Sequence, residues 1–150
     1  MRLIPSYNKH NVEKAKTVLA DTVIFDLEAI LEDQREPGRE TLKEVYKEGA
    51  KFGESERVLR VNNLGSEDLK KDLALAKEIE LDALLFSKID TKEDVLEAVK
   101  LIEGVNPNIT LMIMIETHIS VLNIQEICEA SYKVEVVVDG WIKHEKRLEM

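Results

Sequence analysis

Two kinds of segment alternate along this chain of 150 residues. The first kind is a short, nearly continuous apolar run: LIP, TVIFD, RVLRVN, DALLFSK, TLMIMIE and VEVVVD. Unbroken, β-branched runs of this kind suit strands buried on both faces of a parallel sheet. The second kind has a helical period. Leu42, Val45, Tyr46, Gly49 and Ala50 fall on one apolar stripe, and Val95, Ala98, Val99 and Ile102 repeat it later. Val12, Ala15 and Leu19 mark a shorter helix, and Leu69, Leu73, Ala76 and Ile79 another. Ser66 before Glu67 and Asp68, and Thr91 with Asp94, predict capped helix starts. Gly53 and Gly104 follow helical runs, where a left-handed residue is expected to end the helix. The polar stretch LEDQREPGRE after the second strand predicts a loop at the sheet's mouth.

Strands alternating with helices mean βαβ units and a parallel sheet. Six strands suit either an open doubly wound sheet or most of a (β/α)₈ barrel. Neither a GxGxxG nor a Walker motif follows any strand, which favours the barrel. A complete barrel needs roughly 200 residues or more. The expectation is therefore one domain over residues 1–150, a partial TIM-type barrel of about six parallel strands lacking its last two β/α units.

Charge and composition narrow the function. With 21 basic and 30 acidic side chains the net charge is −9, and there is no basic stripe of the kind nucleic acid or an anionic membrane requires. The sequence contains no apolar run near the roughly 20 residues of a membrane span, and the opening MRLIPSYNKHN is too short in apolar residues for a signal peptide. A single cysteine, Cys128, excludes an internal disulfide framework and fits a reducing cytoplasm. Its apolar neighbours predict that it is buried packing. Arg2, Lys9, His10, Lys14 and Lys16 face one acid, Glu13, early in the chain. They read as a solvated helix face or as a landing place for an anionic ligand.

Ligands of such sheets bind at the carboxyl ends of the strands. There the sequence places Asp26 and Glu28, Arg60 and Asn62, Lys88 and Asp90, then Glu116 and Thr117. Four consecutive strands ending in carboxylate, guanidinium, ammonium and carboxylate suggest a carboxylated substrate with a hard divalent metal. Mg²⁺ takes oxygen ligands and usually only one or two protein carboxylates. Glu116 is the best single ligand and Glu28 the second. Arg60 offers a planar fork for a carboxylate, although an ion pair to Asp26 or Glu28 suits it equally. Lys88 would form a Schiff base only if burial lowered its pKa; an ion pair is the plainer reading. His118 reads as a solvated rim residue and His144 as part of a charged tail. Trp141 reads as a cover for an exposed edge.

At these strand ends the sequence resembles the citrate lyase β-subunit family, which includes malyl-coenzyme A lyase and related barrel lyases. The resemblance runs from about residue 2 to residue 140. Pro5 matches the family's opening turn, with Ser6 in place of Gly. Asp26 and Glu28 match its Asp-x-Glu-Asp, with Ala29 last, and Arg60, Val61 and Asn62 match its Arg-x-Asn. Its Pro-Lys-x-Glu appears as Ser87, Lys88, Ile89 and Asp90; its Ile-Glu-Thr and later Leu-Asn appear as Ile115, Glu116, Thr117, Leu122 and Asn123. The resemblance implies a Mg²⁺-dependent carbon–carbon lyase cleaving a citryl or malyl-type thioester to oxaloacetate or glyoxylate and an acetyl thioester. It implies that Arg60 and Glu116 are catalytic, with Glu116 the metal ligand. Arg60, Asn62, Glu116, Thr117, Glu28 and Lys88 would bind substrate. The implied partner is a coenzyme A or acyl-carrier thioester, whose phosphates the basic opening segment would meet. The sequence departs from the family at the sixth strand. There Gly140 aligns, Lys143 stands where the family has a second metal-binding Asp, and Asp139 precedes the Gly. Two other readings follow: a non-catalytic dicarboxylate-binding or scaffold subunit, and a homo-oligomer or a barrel completed by another chain.

Overall fold

The computed structural model describes residues 1–140. Its six strands are β1 (Arg2–Pro5), β2 (Thr22–Asp26), β3 (Glu56–Val61), β4 (Ala83–Phe86), β5 (Thr110–Ile115) and β6 (Val134–Asp139). They coincide with the six apolar runs. The helices are α1 (Lys9–Lys14), α2 (Glu32–Lys47), α3 (Glu67–Glu78), α4 (Lys92–Glu103), α5 (His118–Leu122) and α6 (Ile124–Glu129). All strand pairs are parallel, and spatial order equals chain order from β1 to β6. A doubly wound sheet would reverse order at a switch point. The strictly sequential order is that of a (β/α)₈ barrel, here with six strands and open between β1 and β6 among the described residues.

The two sheet faces bury different things. Val23, Phe25, Leu59, Val61, Leu84, Phe86, Leu111 and Ile113 pack outward against the helices in the large core. Their alternating neighbours Ile24, Val58, Ala83, Leu85 and Met112 form a smaller interior cluster, flanked by Met114, Val136 and Val138. Because side chains alternate along a strand, this split explains why each run reads as continuously apolar. Phe25 meets Phe52 edge-on at 5.1 Å between ring centres and Tyr46 at 6.3 Å, a small aromatic cluster in an otherwise aliphatic core. Among the described residues no helix is long and apolar enough to cross a membrane.

Helix starts follow the sequence. Ser66 Oγ accepts the Leu69 N–H at 3.2 Å. Thr91 Oγ1 accepts from Asp94 N while Asp94 Oδ2 accepts from Thr91 N, a complete capping box. Four readings need correction. LEDQREPGRE is not a mouth loop: α2 begins at Glu32 and runs through Pro37. Pro37 is exposed on this helix, while Gly38 serves close packing, since a Cβ on it would lie 3.0 Å from Leu27 Cδ2 and 3.5 Å from the backbone of Ser6. Gly49, not Gly53, ends this helix. With φ +77° it lets its own N–H reach Tyr46 O and the Ala50 N–H reach Val45 O, a Schellman pair. Gly104 stays right-handed at φ −71°. Leu19 lies beyond the short turn that follows α1 and is fully exposed, so it adds nothing to that helix's apolar face.

Candidate functional site

Continuing the interior face of each strand beyond the small apolar cluster brings five residues to the mouth: Asp26, Arg60, Ser87, Glu116 and Gly140. The parity is that of Ile24, Val58, Leu85, Met114 and Val138, two residues earlier. Asp26, Arg60, Ser87 and Glu116 are all buried. Four strands thus deliver polar side chains onto one apolar floor.

Arg60 is the hub. Its Nε donates to Ser87 Oγ at 3.2 Å, one terminal nitrogen stands 3.5 Å from Asp26 Oδ2, and the other donates to Glu28 Oε2 at 2.5 Å. The ion-pair reading of Arg60 is realised with both acids. A guanidinium carries five N–H groups, so these contacts leave one N–H on each terminal nitrogen among the described residues. Asp26 is held in turn, its Oδ1 accepting the Glu28 and Ala29 N–H groups at 2.9 and 3.1 Å. This turn after β2 is local: an aspartate accepting amides two and three residues on.

Lys88 follows Ser87 with φ +54°, the one non-glycine residue with positive φ among the described residues. A left-handed conformation costs a residue with a Cβ about 1–2 kcal/mol, and such strain concentrates at functional sites. The Lys88 ammonium lies 3.8 Å from Glu28 Oε1, and its side chain is 50% exposed. That is the ion-pair arrangement; the burial a Schiff-base lysine needs is missing.

Glu116 sits at the end of β5 beneath Gly140. The Gly140 N–H donates to Ile115 O at 2.8 Å, and a Cβ on Gly140 would come 2.6 Å from Glu116 Cβ. The sixth strand therefore passes so close over Glu116 that only glycine fits. Lys143, Trp141 and His144 lie outside the described residues. Among those described, no group of three or more His, Cys, Asp or Glu residues is placed to hold a metal ion. A Mg²⁺ ion that keeps water and substrate oxygens needs only one or two protein carboxylates, and buried Glu116 is a hard oxygen donor of that kind.

Two residues expected to touch substrate also hold the segments around them. Thr117 caps α5: its Oγ1 accepts from Ser120 N at 3.0 Å and bonds Asp90 Oδ1. Asn123 Nδ2 donates to Asp90 O at 2.9 Å, so the Thr and the Asn together pin the turn after β4. Asn62 Nδ2 donates to Leu27 O at 3.2 Å and to Asp72 Oδ2 at 2.8 Å, facing the strand ends and helix α3. His118 is exposed on the rim, as expected. Cys128 is exposed too, contrary to expectation. On six-residue α6 only Ile127 is buried, and its neighbour points outward. Lys9 is held by Glu44 and Glu48 at 2.9 and 3.1 Å and Lys16 by Glu13 at 3.4 Å, the solvated-face reading of the basic opening segment.

Sequence reading missed Asp72, which is completely buried on α3. Its Oδ2 accepts both Asn62 N–H groups at 2.8 Å and its Oδ1 accepts Arg39 Nε at 2.8 Å. Burial pushes its carboxyl above the ordinary range, against the pull of Asn62 and Arg39. Burial alone would lower the Arg39 pKa, but Asp68 and Asp72 outweigh it and raise it. The signal was present: Asp72 lies on the α3 apolar stripe, three residues after Leu69 and four before Ala76.

Comparison with known proteins places the fold and the family. Residues 1–140 match the model of the HpcH/HpaI aldolase/citrate lyase family. A (3S)-malyl-CoA thioesterase of Cereibacter sphaeroides (strain KD131 / KCTC 12085) is 37% identical over 125 residues, 83% of this chain and 42% of that protein. The citrate lyase subunit beta of Leuconostoc mesenteroides subsp. cremoris is 27% identical over 139 residues, 87% of this chain and 46% of that one. This chain thus spans less than half the length of either relative. The protein CitE of Mycobacterium tuberculosis, solved in complex with magnesium and pyruvate, superposes with a TM-score of 0.74 at 22% identity. That match covers 92% of this chain and 52% of CitE, and it shows the same partial-barrel fold. By family model and by identity to a relative, the chain belongs to the HpcH/HpaI aldolase/citrate lyase family.

Proposed function

We propose that this chain carries the carboxylate-holding part of a Mg²⁺-dependent carbon–carbon lyase site, acting on a citryl or malyl-type thioester of coenzyme A or an acyl carrier. The observation that carries this reading is the placement of Arg60 and Glu116, two buried side chains of opposite charge, over the apolar floor at the strand ends. Arg60, with an N–H on each terminal nitrogen left over, orients the substrate carboxylate. Lys88 adds positive charge at the rim, while Thr117 and Asn62 fix the segments around them. Glu116 would hold the metal, which when bound supplies a Lewis acid at the oxygen that becomes the keto group. Cleavage turns the substrate hydroxyl into the new C=O as its proton passes to solvent, and leaves the electron pair of the broken carbon–carbon bond on the acetyl thioester as its enolate, which takes up a proton to give the acetyl thioester. A dry, preorganised pocket is needed to hold that charge.

A non-catalytic dicarboxylate-binding subunit is the second reading, favoured by the lack of a multi-carboxylate metal cluster among the described residues. The lyase reading requires oxaloacetate to bind more tightly with Mg²⁺ than without it, whereas the binding-subunit reading requires only that oxaloacetate bind. Glu116→Gln should abolish the Mg²⁺ dependence, and Arg60→Lys should weaken binding about tenfold, roughly 1.4 kcal/mol, through loss of the fork. Titration calorimetry without a Mg²⁺ effect on the unmutated protein would end the metal-site proposal. Turnover separates the chemistries. Lyase cleavage releases a keto acid and an acetyl thioester, hydrolysis releases a free thiol, and a binding subunit releases neither.

A further inference from the structure

We propose that Arg39, Asp72 and Asn62 form a buried positioning unit that carries the register of helices α2 and α3 to the mouth and so sets where Arg60 and Glu28 stand. The proposal rests on the reading of Arg60 as a substrate-holding group.

Sheet pairing between β2 and β3 ends at Asp26 and Arg60. Beyond it the chain would have no fixed separation, yet Glu28 lies beyond it. Leu27, directly before Glu28, is stitched to the other strand end twice. Its N–H donates to Arg60 O at 3.0 Å, and its C=O accepts from Asn62 Nδ2 at 3.2 Å. Asn62 is itself held by Asp72 through its backbone and side-chain N–H groups, both at 2.8 Å. Asp72 is tied to Arg39 on α2, and Arg39 returns to α3 through Asp68 Oδ1 at 2.7 Å. One connected path of short hydrogen bonds therefore joins two helices to the two segments that flank the Arg60–Glu28 contact.

The chemistry is costly for mere packing. An ionised carboxylate without exposed surface loses several kcal/mol of hydration, and a well-packed hydrophobic residue is often as stabilising as the buried pair. The neighbouring stripe positions Leu69, Leu75 and Ala76 are apolar and buried, so a leucine would suit position 72 if only packing mattered. A leucine accepts no hydrogen bond, and Asn62 would then lose the partner that orients its amide toward Leu27.

The test compares Asn62→Ala, which cuts the clamp at the mouth, with Arg35→Ala. The latter removes the 2.7 Å Arg35–Asp68 ion pair between the same helices without touching the strand ends. Amide hydrogen exchange at Leu27, relative to Ile24 and Phe25, and NMR relaxation at Arg60 Nε are read in both variants, and oxaloacetate affinity with Mg²⁺ is read beside them. Asn62→Ala should speed Leu27 exchange at least about tenfold, mobilise Arg60 Nε and weaken oxaloacetate about tenfold. Arg35→Ala should lower the melting temperature and leave the other readouts unchanged. Asp72→Asn, nearly isosteric and uncharged, should loosen the clamp in the same direction from its helix end, so failure of one variant to fold leaves the other to decide. Unchanged Leu27 exchange and a rigid Arg60 Nε in a folded clamp variant would overturn the proposal. If the unmutated protein binds no oxaloacetate, the functional reading falls alone, because exchange and relaxation still judge the clamp.

Discussion

A single methyl group at Gly140 would be felt at the site. The Cβ it adds would lie 2.6 Å from Glu116 Cβ and 3.3 Å from Ile115 O, neither of which is the far end of a flexible side chain. Overpacking of this kind costs about 1–3 kcal/mol, and the only relief is a shift of β6 away from β5 or of Glu116 itself. Gly65 is the natural comparison: its φ is +78°, but nothing stands within 4 Å of an added Cβ. Urea denaturation should show both Gly140→Ala and Gly65→Ala destabilised, while only Gly140→Ala alters Mg²⁺ affinity. An unchanged affinity would mean that Glu116 absorbs the contact without moving. Residues of this sort divide legible from illegible. The strand-end positions of Asp26, Arg60 and Glu116 could be read because a charge after an apolar run is visible in one dimension. The turning of Asn62 and Thr117 toward Leu27 and Asp90 could not, because it depends on partners 35 and 27 positions away.

Elements were legible where the pattern repeats within them and illegible where a signal is shared between two structures. All six strands follow from apolar runs, and the α3 and α4 starts follow from hydroxyl caps. The polar stretch around Pro37 and Gly38 reads as a loop, yet it lies within α2, where the missing side chain of Gly38 lets the helix approach Leu27 and Ser6 closely. At the opposite end of the strands, β3 and the segment before β4 are joined by a forked ion pair. Arg57 Nε and one terminal nitrogen meet the two Asp82 oxygens at 2.9 and 3.0 Å. The Arg57 guanidinium holds the Asp82 carboxyl below its usual range, with burial opposing. A carboxyl whose folded pKa is depressed contributes stability that is full above its unfolded value, near 3.9, and is lost as pH falls through the folded value. Asp82 is partly exposed, so solvent screening limits the contribution to about 1 kcal/mol or less. Asp82→Asn should therefore be less stable than the unmutated chain at pH 7 and nearly equal to it at pH 2. A deficit of the same size at both pH values would assign the loss to packing or to the Arg57 N–H instead of charge.

For the whole molecule, the open side of the sheet is what sets behaviour in solution. Among the described residues β1 pairs only with β2 and β6 only with β5, so each presents a row of backbone N–H and C=O groups on its outer side. Such edges pair readily with other strands unless charge, a bulge or a covering element blocks them. The blocks here are weak. Leu3 on the interior side of β1 is 46% exposed and Val137 on the outward side of β6 is 38% exposed, so each edge carries apolar surface beside its unpaired backbone. Arg2, Glu135 and Asp139 are the charges nearest the edges, positive on β1 and negative on β6. That asymmetry favours a heterologous contact, the β1 edge of one copy against the β6 edge of another, because like edges would bring like charges together. Such a contact buries both apolar margins at once and extends the parallel sheet without a change of direction. The chain of 150 residues is therefore expected to associate at micromolar concentration, more weakly as salt screens the Arg2–Glu135–Asp139 attraction. Light scattering behind size exclusion should give a mass above the 17.1 kDa of one chain. Leu3→Lys should shift the population toward monomer, because it removes apolar surface at the margin and crowds Arg2. A clean monomer of the unmutated chain at all salt concentrations would show that its edges are covered from within.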